Sequence, residues 1–391
     1  MIGIARNSSV LISSIEIRII EIRIPSFNAL RRSSALRNKR PARRILLLVT
    51  RRTAVSLLAA AGLHAAARLE IRGMYSSPKP FWDAGLRLPD FGINAIFVHA
   101  GSINAAMIER AAAEGARVFA EFPTLNGKGY VEEHPEAWPI DETGARSPAA
   151  TWFLGACPSD PGFHAHRVKL LEDLLDRHAV AGVWLDYLHW HAQFEDPKPV
   201  LPETCFNNAC ISAFEKSSGV RVAAGETAAR ARVILSRHER AWRDWRARRL
   251  AAWTRDCREI VRRKRPGALT GIFHCPWTDS DFNGARRRTL GLDFDLLARQ
   301  ADVFSPMVYH GRMGRAPAWV GENLAWLGRT LSGKAKIWPI VQAHEVPAAE
   351  FETALRLGAA SPATGVMMFT AGAVAADPAK REAVRRIYRD A

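Results

Sequence analysis

The sequence predicts a single-domain (β/α)8 barrel over residues 68–391, with long loops after its third and fourth strands. Three observations predict it. Eight short β-rich runs each precede a helix or helix-like segment, and that alternation implies right-handed crossovers and a parallel sheet. Eight such units in about 320 residues fit a closed barrel of the TIM type better than an open doubly wound sheet. No G-x-G-x-x-G follows the first run, which removes the dinucleotide-binding signature of the open alternative.

The elements follow in order. LEIRGMYS (69–76) is the first strand, and PKPFWDAGLRLPDFG turns and curls after it. NAIFVHAG (94–101) is the second, followed by the helix INAAMIERAAAEG, which a glycine ends. ARVFAEFPT (116–124) is the third, then a long loop with Pro, Gly and Trp, then the helix HAHRVKLLEDLLDRH. AGVWLDYLHW (181–190) is the fourth, followed by a second long loop and a helical stretch to about Arg265. ALTGIFHCPW (268–277), DVFSPMVYH (302–310), AKIWPIVQA (335–343) and TGVMMFTAG (364–372) complete the eight, and PAKREAVRRIY closes the chain. Within the long helical stretch, Trp242, Trp245, Trp253 and Ile260 recur at helical spacing, so WRDWRARRLAAWTRDCREIVRRK reads as a barrel helix with its aromatic stripe inward and its arginines solvated.

The basic balance does not point to nucleic acid. The chain carries a net +16, but residues 1–67 hold 12 Lys/Arg against 2 Asp/Glu, leaving 43 against 37 for the rest. A groove binder needs its charge on one folded face. Residues 1–48, an Ile/Glu/Arg-biased repeat and a basic run, read as an extension that is disordered or a mis-assigned start, with translation beginning at Val49. Arg51 and Arg52 then precede an apolar run to Ala67 that ends in small residues. That is the pattern of a twin-arginine export signal over 49–67, predicting a periplasmic or extracellular protein. The run is too short for a stable membrane span. Five cysteines, with no C-x-x-C pair and no histidine at zinc spacing, predict no metal; Cys205 and Cys210 form the favoured disulfide pair.

Chemistry belongs at the C-terminal ends of the strands. In GVWLDYLHW, Val183, Leu185 and Tyr187 share one face, while Trp184 and Asp186 share the other. Val and Leu suit the helix-facing side, so Asp186 points into the barrel mouth. The same count on VFAEF sets Glu121 inward near the end of the third strand. Two carboxylates on neighbouring strands, both near the rim, are what acid/base or nucleophilic chemistry at a glycosidic bond requires. His99, His274, Tyr309, His310 and Gln342 add polar groups at other strand ends as candidate substrate-binding residues. Trp138, Trp152, Trp190 and Trp277 lie in or beside the rim loops, where flat aromatic faces match sugar rings; Trp190 and Trp277 join the candidate set. Asp279, Asp281 and Glu345 remain alternative partners for Asp186, although Glu345 falls on the strand face opposite Gln342 by parity.

GVWLDYLHW, CFNNACISAFEKSSG and ADVFSPMVYH together resemble the glycoside-hydrolase-like TIM-barrel families of bacteria, over most of residues 69–391. The resemblance implies a catalytic role for Asp186. In similar sequences the cysteine loop reads C-x-C-x-x-C; here Asn207 stands at the middle position, against a metal site. The resulting expectation is an exported glycoside hydrolase acting on a polysaccharide or oligosaccharide, without metal or organic cofactor and without a nucleic-acid partner. Its rivals are a non-catalytic carbohydrate-binding barrel of the cell envelope and a metal-dependent amidohydrolase. The latter wants an H-x-H pair that RGMYSS does not offer.

Overall fold

The computed structural model describes residues 9–12, 15–18, 69–150 and 153–390. The chain divides into two units, Met1–Leu63 and His64–Ala391. In the first, Ser9–Ile12 and Ile15–Arg18 pair as antiparallel strands, Ser9 opposite Arg18. The remaining expectations for residues 1–48, the export signal at 49–67 and Trp152 lie outside the described residues. Among the described residues no helix is long and apolar enough to cross a membrane.

The second unit holds eight parallel strands. They are β1 (Ile71–Tyr75), β2 (Ala95–His99), β3 (Arg117–Pro123), β4 (Gly182–Asp186), β5 (Leu269–His274), β6 (Val303–Val308), β7 (Ile340–Gln342) and β8 (Gly365–Phe369). A two-residue piece, Lys336–Ile337, precedes β7 and pairs with the start of β6. Neighbours pair in chain order, β7 pairs with both β6 and β8, and β8 pairs with β1, so the barrel is closed. Each strand lies inside one of the eight predicted runs.

Local chemistry sets the larger helices between them. The Asn104 side chain accepts from Met107 N and caps α1 (Ala105–Ala113); Asp160 accepts from Phe163 N and caps α2 (Pro161–Arg177), where proline occupies the first helical position. Asn207 caps α3 (Asn208–Ser218), and α4 (Thr227–Arg237) and α5 (Glu239–Lys264) follow. The predicted stretch is thus three helices, because Gly219 ends α3 in a left-handed conformation and a non-helical His238 separates α4 from α5. α6 (Trp319–Leu331), α7 (Ala348–Gly358) and α8 (Pro378–Asp390) complete the outer ring. The β1–β2 and β5–β6 crossovers use only short helical pieces.

Trp242, Trp245, Trp253 and Ile260 of α5 are buried, as their spacing requires. One of its arginines is not solvated, however. Arg246 is fully buried and donates to the Glu203 carboxylate and to the carbonyls of Arg288 and Thr289, with its guanidinium 4.8 Å from the Trp190 ring centre. The helix therefore grips the loops after β4 and β5 through one charge.

The barrel interior is aromatic. Phe97 stacks on Phe119 at 4.7 Å, Trp184 stacks on Trp338 at 5.3 Å, and Phe119 meets Trp184 edge-on. A Cβ built on Gly271 would lie 2.2 Å from the Trp184 ring, so β5 carries a glycine where β4 carries an indole. Rings this large fill the barrel up to the level of Trp184, and the next inward residue on β4 is Asp186.

Candidate active site

Asp186 is the last residue of β4. Tyr187 follows with φ +52°, a left-handed conformation that turns the chain out of the sheet and aims its own N–H at Asp186 Oδ1, 2.8 Å away. The strand therefore ends at the rim and leaves a largely buried carboxylate facing a cavity of about 370 Å³. Tyr75, Tyr187, Glu195, Met307, Tyr309, Arg312 and Phe369 form the rest of its wall. A small recess beside it shares Asp186, Tyr187, Glu195 and Met307 and is backed by Phe153 and His189. The ring of Phe369 lies 5.1 Å from Tyr75 and 4.9 Å from Tyr309, making an aromatic floor. Tyr187 stacks on Phe153 at 5.1 Å.

Two larger grooves, of about 640 and 670 Å³, open at the opposite end, among strand-start residues such as Arg117, Leu269, Asp302 and Thr364. Barrel chemistry occurs at the C-terminal face, and the N-terminal face serves stability. Asp302 fits that division: it pairs with Arg258 at 2.5 Å and accepts from Thr270 N.

The electrostatics of the mouth follow from burial beside like charge. Burial pushes the Asp186 carboxyl well above the usual carboxylate range, and the charges of Glu121 and Glu195 push it further, against the Tyr187 N–H. Glu121 is also held up by burial, while His99, the Tyr75 hydroxyl and Arg167 pull it down. Burial raises Glu195, against a hydrogen bond and charge from Arg312, whose Nη1 donates to Glu195 Oε2 at 2.9 Å. Burial and these carboxylates push the Tyr75 and Tyr309 hydroxyls up, so both remain hydrogen-bond donors.

The structure separates the sequence-predicted residues. Asp186 and Tyr309 line the cavity. Glu121 does point inward, but its strand neighbour is Trp184, and Asp186 pairs with Pro123. It therefore sits two residues, about 7 Å, deeper along the barrel than Asp186. There it accepts from the Tyr75 hydroxyl at 3.1 Å, beneath the cavity wall. His99 is exposed at the end of β2, its Nδ1 accepting from Gly101 N.

The other candidates contribute nothing to the cavity wall. His274 falls on the outer face of β5 and packs against Phe294 and Phe304; burial pushes it down to about 3, and its Nδ1 bonds the Cys275 carbonyl at 2.9 Å. His310, one residue beyond the inward Tyr309, is turned toward α7 and meets Glu350 at 3.3 Å. Trp190 is fully buried against α5, with its indole N–H on the Arg246 carbonyl. Trp277 packs between Phe194 and Phe282. Gln342 is a brace: its Oε1 accepts from Arg312 N at 3.0 Å and its Nε2 donates to the His344 carbonyl. Trp138 is loop core as well, donating to the Ser147 carbonyl.

The alternative carboxylates are also accounted for. Asp279 is exposed and paired with Arg286, and Asp281 closes its own loop through Thr278 and pairs with Arg315. Glu345 is exposed at the rim, 3.9 Å from Arg312.

Sequence reasoning missed Glu195 and Arg312. Both sit on loops, where strand parity no longer applies, and the FEDPK turn around Glu195 reads as solvated charge. It missed the cysteine grouping too. Cys205 and Cys210, the favoured disulfide pair, are both free thiols, and they gather with a third. The Cys210 sulfur lies 3.3 Å from that of Cys157, and the sulfurs of Cys157, Cys205 and Cys210 all fall within 4.8 Å of one another, all buried. Burial opposes ionisation of Cys205, but hydrogen bonds from the other two thiols and from the Ile140 and Asn207 N–H groups hold it well below the usual thiol range. Three thiols are a soft donor set of the kind that suits zinc. They tie the loop after β3 to the loop after β4. Residue spacing does not reveal that link, because Cys157 and Cys205 are distant in the chain and only folding brings them together.

The comparison with known proteins begins from two blanks: no family model matches the chain, and no curated protein matches it. Solved structures do. The glycoside hydrolase domain of PgaB (BpsB) from Bordetella bronchiseptica superposes with a TM-score of 0.60 at 14% identity, covering 81% of this chain and 98% of that one. The β-galactosidases of the psychrophilic Marinomonas ef1 and of the Antarctic haloarchaeon Halorubrum lacusprofundi each superpose with a TM-score of 0.59, at 13% and 14% identity. They cover 81% and 82% of this chain, and this chain spans 58% and 57% of theirs. What the protein shares with these glycoside hydrolases is the fold, a closed barrel of eight parallel strands.

Proposed function

We propose that the protein is a glycoside hydrolase that cleaves a polysaccharide or oligosaccharide at the C-terminal mouth of the barrel, with Asp186 as its general acid. One observation carries the reading: a buried carboxyl whose proton is held by its surroundings lies in the wall of an aromatic-floored cavity that contains a second carboxylate. A carboxyl held above its ordinary range keeps its proton to higher pH and can hand it to a glycosidic oxygen as the bond breaks. Tyr75, Tyr309 and Phe369 offer flat faces to a sugar ring, and the two hydroxyls stay protonated to donate to it. The glycoside hydrolases that share the fold support the reaction class.

The test is turnover by the purified protein on a panel of bacterial and plant polysaccharides, repeated with Asp186→Asn. A hydrolase loses about 10²–10⁴-fold in kcat and keeps its affinity. A protein that binds glycans without cleaving any is a carbohydrate-binding barrel instead. We also propose export by the twin-arginine route; N-terminal sequencing of the secreted protein should find a start near Arg68.

A further inference from the structure

Asp186 needs a partner, and the chain offers several carboxylates near the barrel mouth. Among the described residues, one of them shares a cavity wall with it. Glu195 and Asp186 line both the main cavity and its recess, whereas Glu121 lines neither and is engaged from above by the Tyr75 hydroxyl. Glu195 leaves the loop after β4, nine residues beyond Asp186, and its position is fixed from across the mouth by Arg312 at 2.9 Å. Arg312 is itself fixed, since Gln342 accepts from its backbone N–H. This is a braced carboxylate rather than a loose surface charge.

We propose that Glu195 is the second catalytic carboxylate, the base that receives a proton from the attacking water. The inference rests on the glycosidase reading above. As the bond from the anomeric carbon to the glycosidic oxygen breaks, its electron pair stays on that oxygen, which takes the proton of Asp186. Water forms the new bond to the anomeric carbon and loses one proton to the Glu195 carboxylate. Exchange with solvent then returns a proton to Asp186 and removes one from Glu195, so the sum is hydrolysis alone. Tyr75, Asp186, Tyr187, His189, Cys275, Tyr309 and Arg312 are the titratable and charged groups around Glu195 among the described residues. Arg312 is the cation among them and opposes the rise that burial imposes on Glu195, whereas the charges of Glu121 and Glu195 add to the rise that burial imposes on Asp186. Unequal environments of this kind divide two carboxylates into an acid and a base. Glu121 is a positioning residue that holds Tyr75.

The experiment compares Glu195→Gln, Glu121→Gln and Asp186→Asn in the full chain, using the most readily cleaved glycan of the panel. Glu195→Gln is expected to lower kcat at least 100-fold with KM changed less than threefold, and to abolish the acidic limb of the pH–rate profile. Glu121→Gln is expected to cost less than tenfold and keep both limbs. A thermal melt within a few degrees of the parent shows that Glu195→Gln folds, and Glu195→Asp serves as a second variant that shortens the carboxylate but keeps the charge. If Glu195→Gln retains at least a third of the parent kcat with its acidic limb intact, Glu195 is not the base, and the glycosidase reading stands. If Asp186→Asn is also unimpaired, or the parent cleaves nothing, the reading falls and takes the assignment with it.

Discussion

Trp184 donates its indole N–H to the Ser305 hydroxyl at 2.9 Å, crossing over β5 at Gly271 to reach β6. That single bond shows how the barrel floor beneath Asp186 is built, with a large ring on one strand and no side chain on the next. Gly271→Ala puts a methyl group 2.2 Å from the indole, and neither the backbone nor the packed ring has room to yield. The expected loss is about 3 kcal/mol, the upper end of ordinary overpacking costs. Urea denaturation measures it, and an unchanged midpoint would show that the floor is looser than described.

Asp186 is held above its ordinary range in the folded chain, so folding favours its protonated form. Its contribution to stability is complete below the unfolded carboxyl value and is lost as pH rises through the folded one. Asp186→Asn removes that loss. The variant is expected to be more stable than the parent at pH 7 to 8, by about 2 °C of Tm for each kcal/mol relieved, and to lose the advantage below about pH 4. Scanning calorimetry at both ends of that range tests it, and an advantage that grows toward acid would contradict the sign.

His274 works in the opposite direction. Burial pushes it down to about 3, so the folded chain keeps it neutral while the unfolded chain protonates it near pH 6.5. The stability it contributes when neutral is lost as pH falls between those values. His274→Leu is expected to flatten the acid side of the stability curve between about pH 6.5 and pH 3 and to leave kcat within threefold, because the ring faces helices rather than the cavity. A hundredfold drop in kcat with normal folding would place the histidine in the chemistry after all.

Arg246 is a buried cation whose guanidinium binds two carbonyls and a carboxylate while lying against Trp190. Burial lowers it to about 10, so it stays charged across the working range. Arg246→Met leaves the Arg288 and Thr289 carbonyls without this donor and removes one cation from beside Glu203. It is expected to cost about 3–5 kcal/mol, the usual penalty for breaking one side of a buried charge pair. Chemical denaturation of the parent and variant gives the difference directly, and a loss under about 1 kcal/mol would mean the loops are held by other contacts.

The eight strands, their parallel order and the inward direction of Asp186 and Glu121 are all legible in the residue order. Each follows from short-range periodicity: alternate residues of a strand face opposite sides, and apolar runs reveal which side is packed. The buried tryptophan stripe of α5 is legible for the same reason, because helical spacing survives whatever surrounds the helix.

Which residues share the cavity was settled by packing between distant segments. Strand register put Glu121 one layer below Asp186, and no single strand encodes its register with the next. Glu195, Arg312 and the grouping of Cys157 with Cys205 and Cys210 depend on loops folding over the barrel mouth, where no repeating backbone geometry links sequence position to direction. The outward turn of His274 and His310 was within reach of the same alternation that placed Asp186, since Phe273 and Tyr309 occupy the inward positions beside them. A polar residue at a strand end carries a direction as well as a chemistry, and the direction decides whether the chemistry is used.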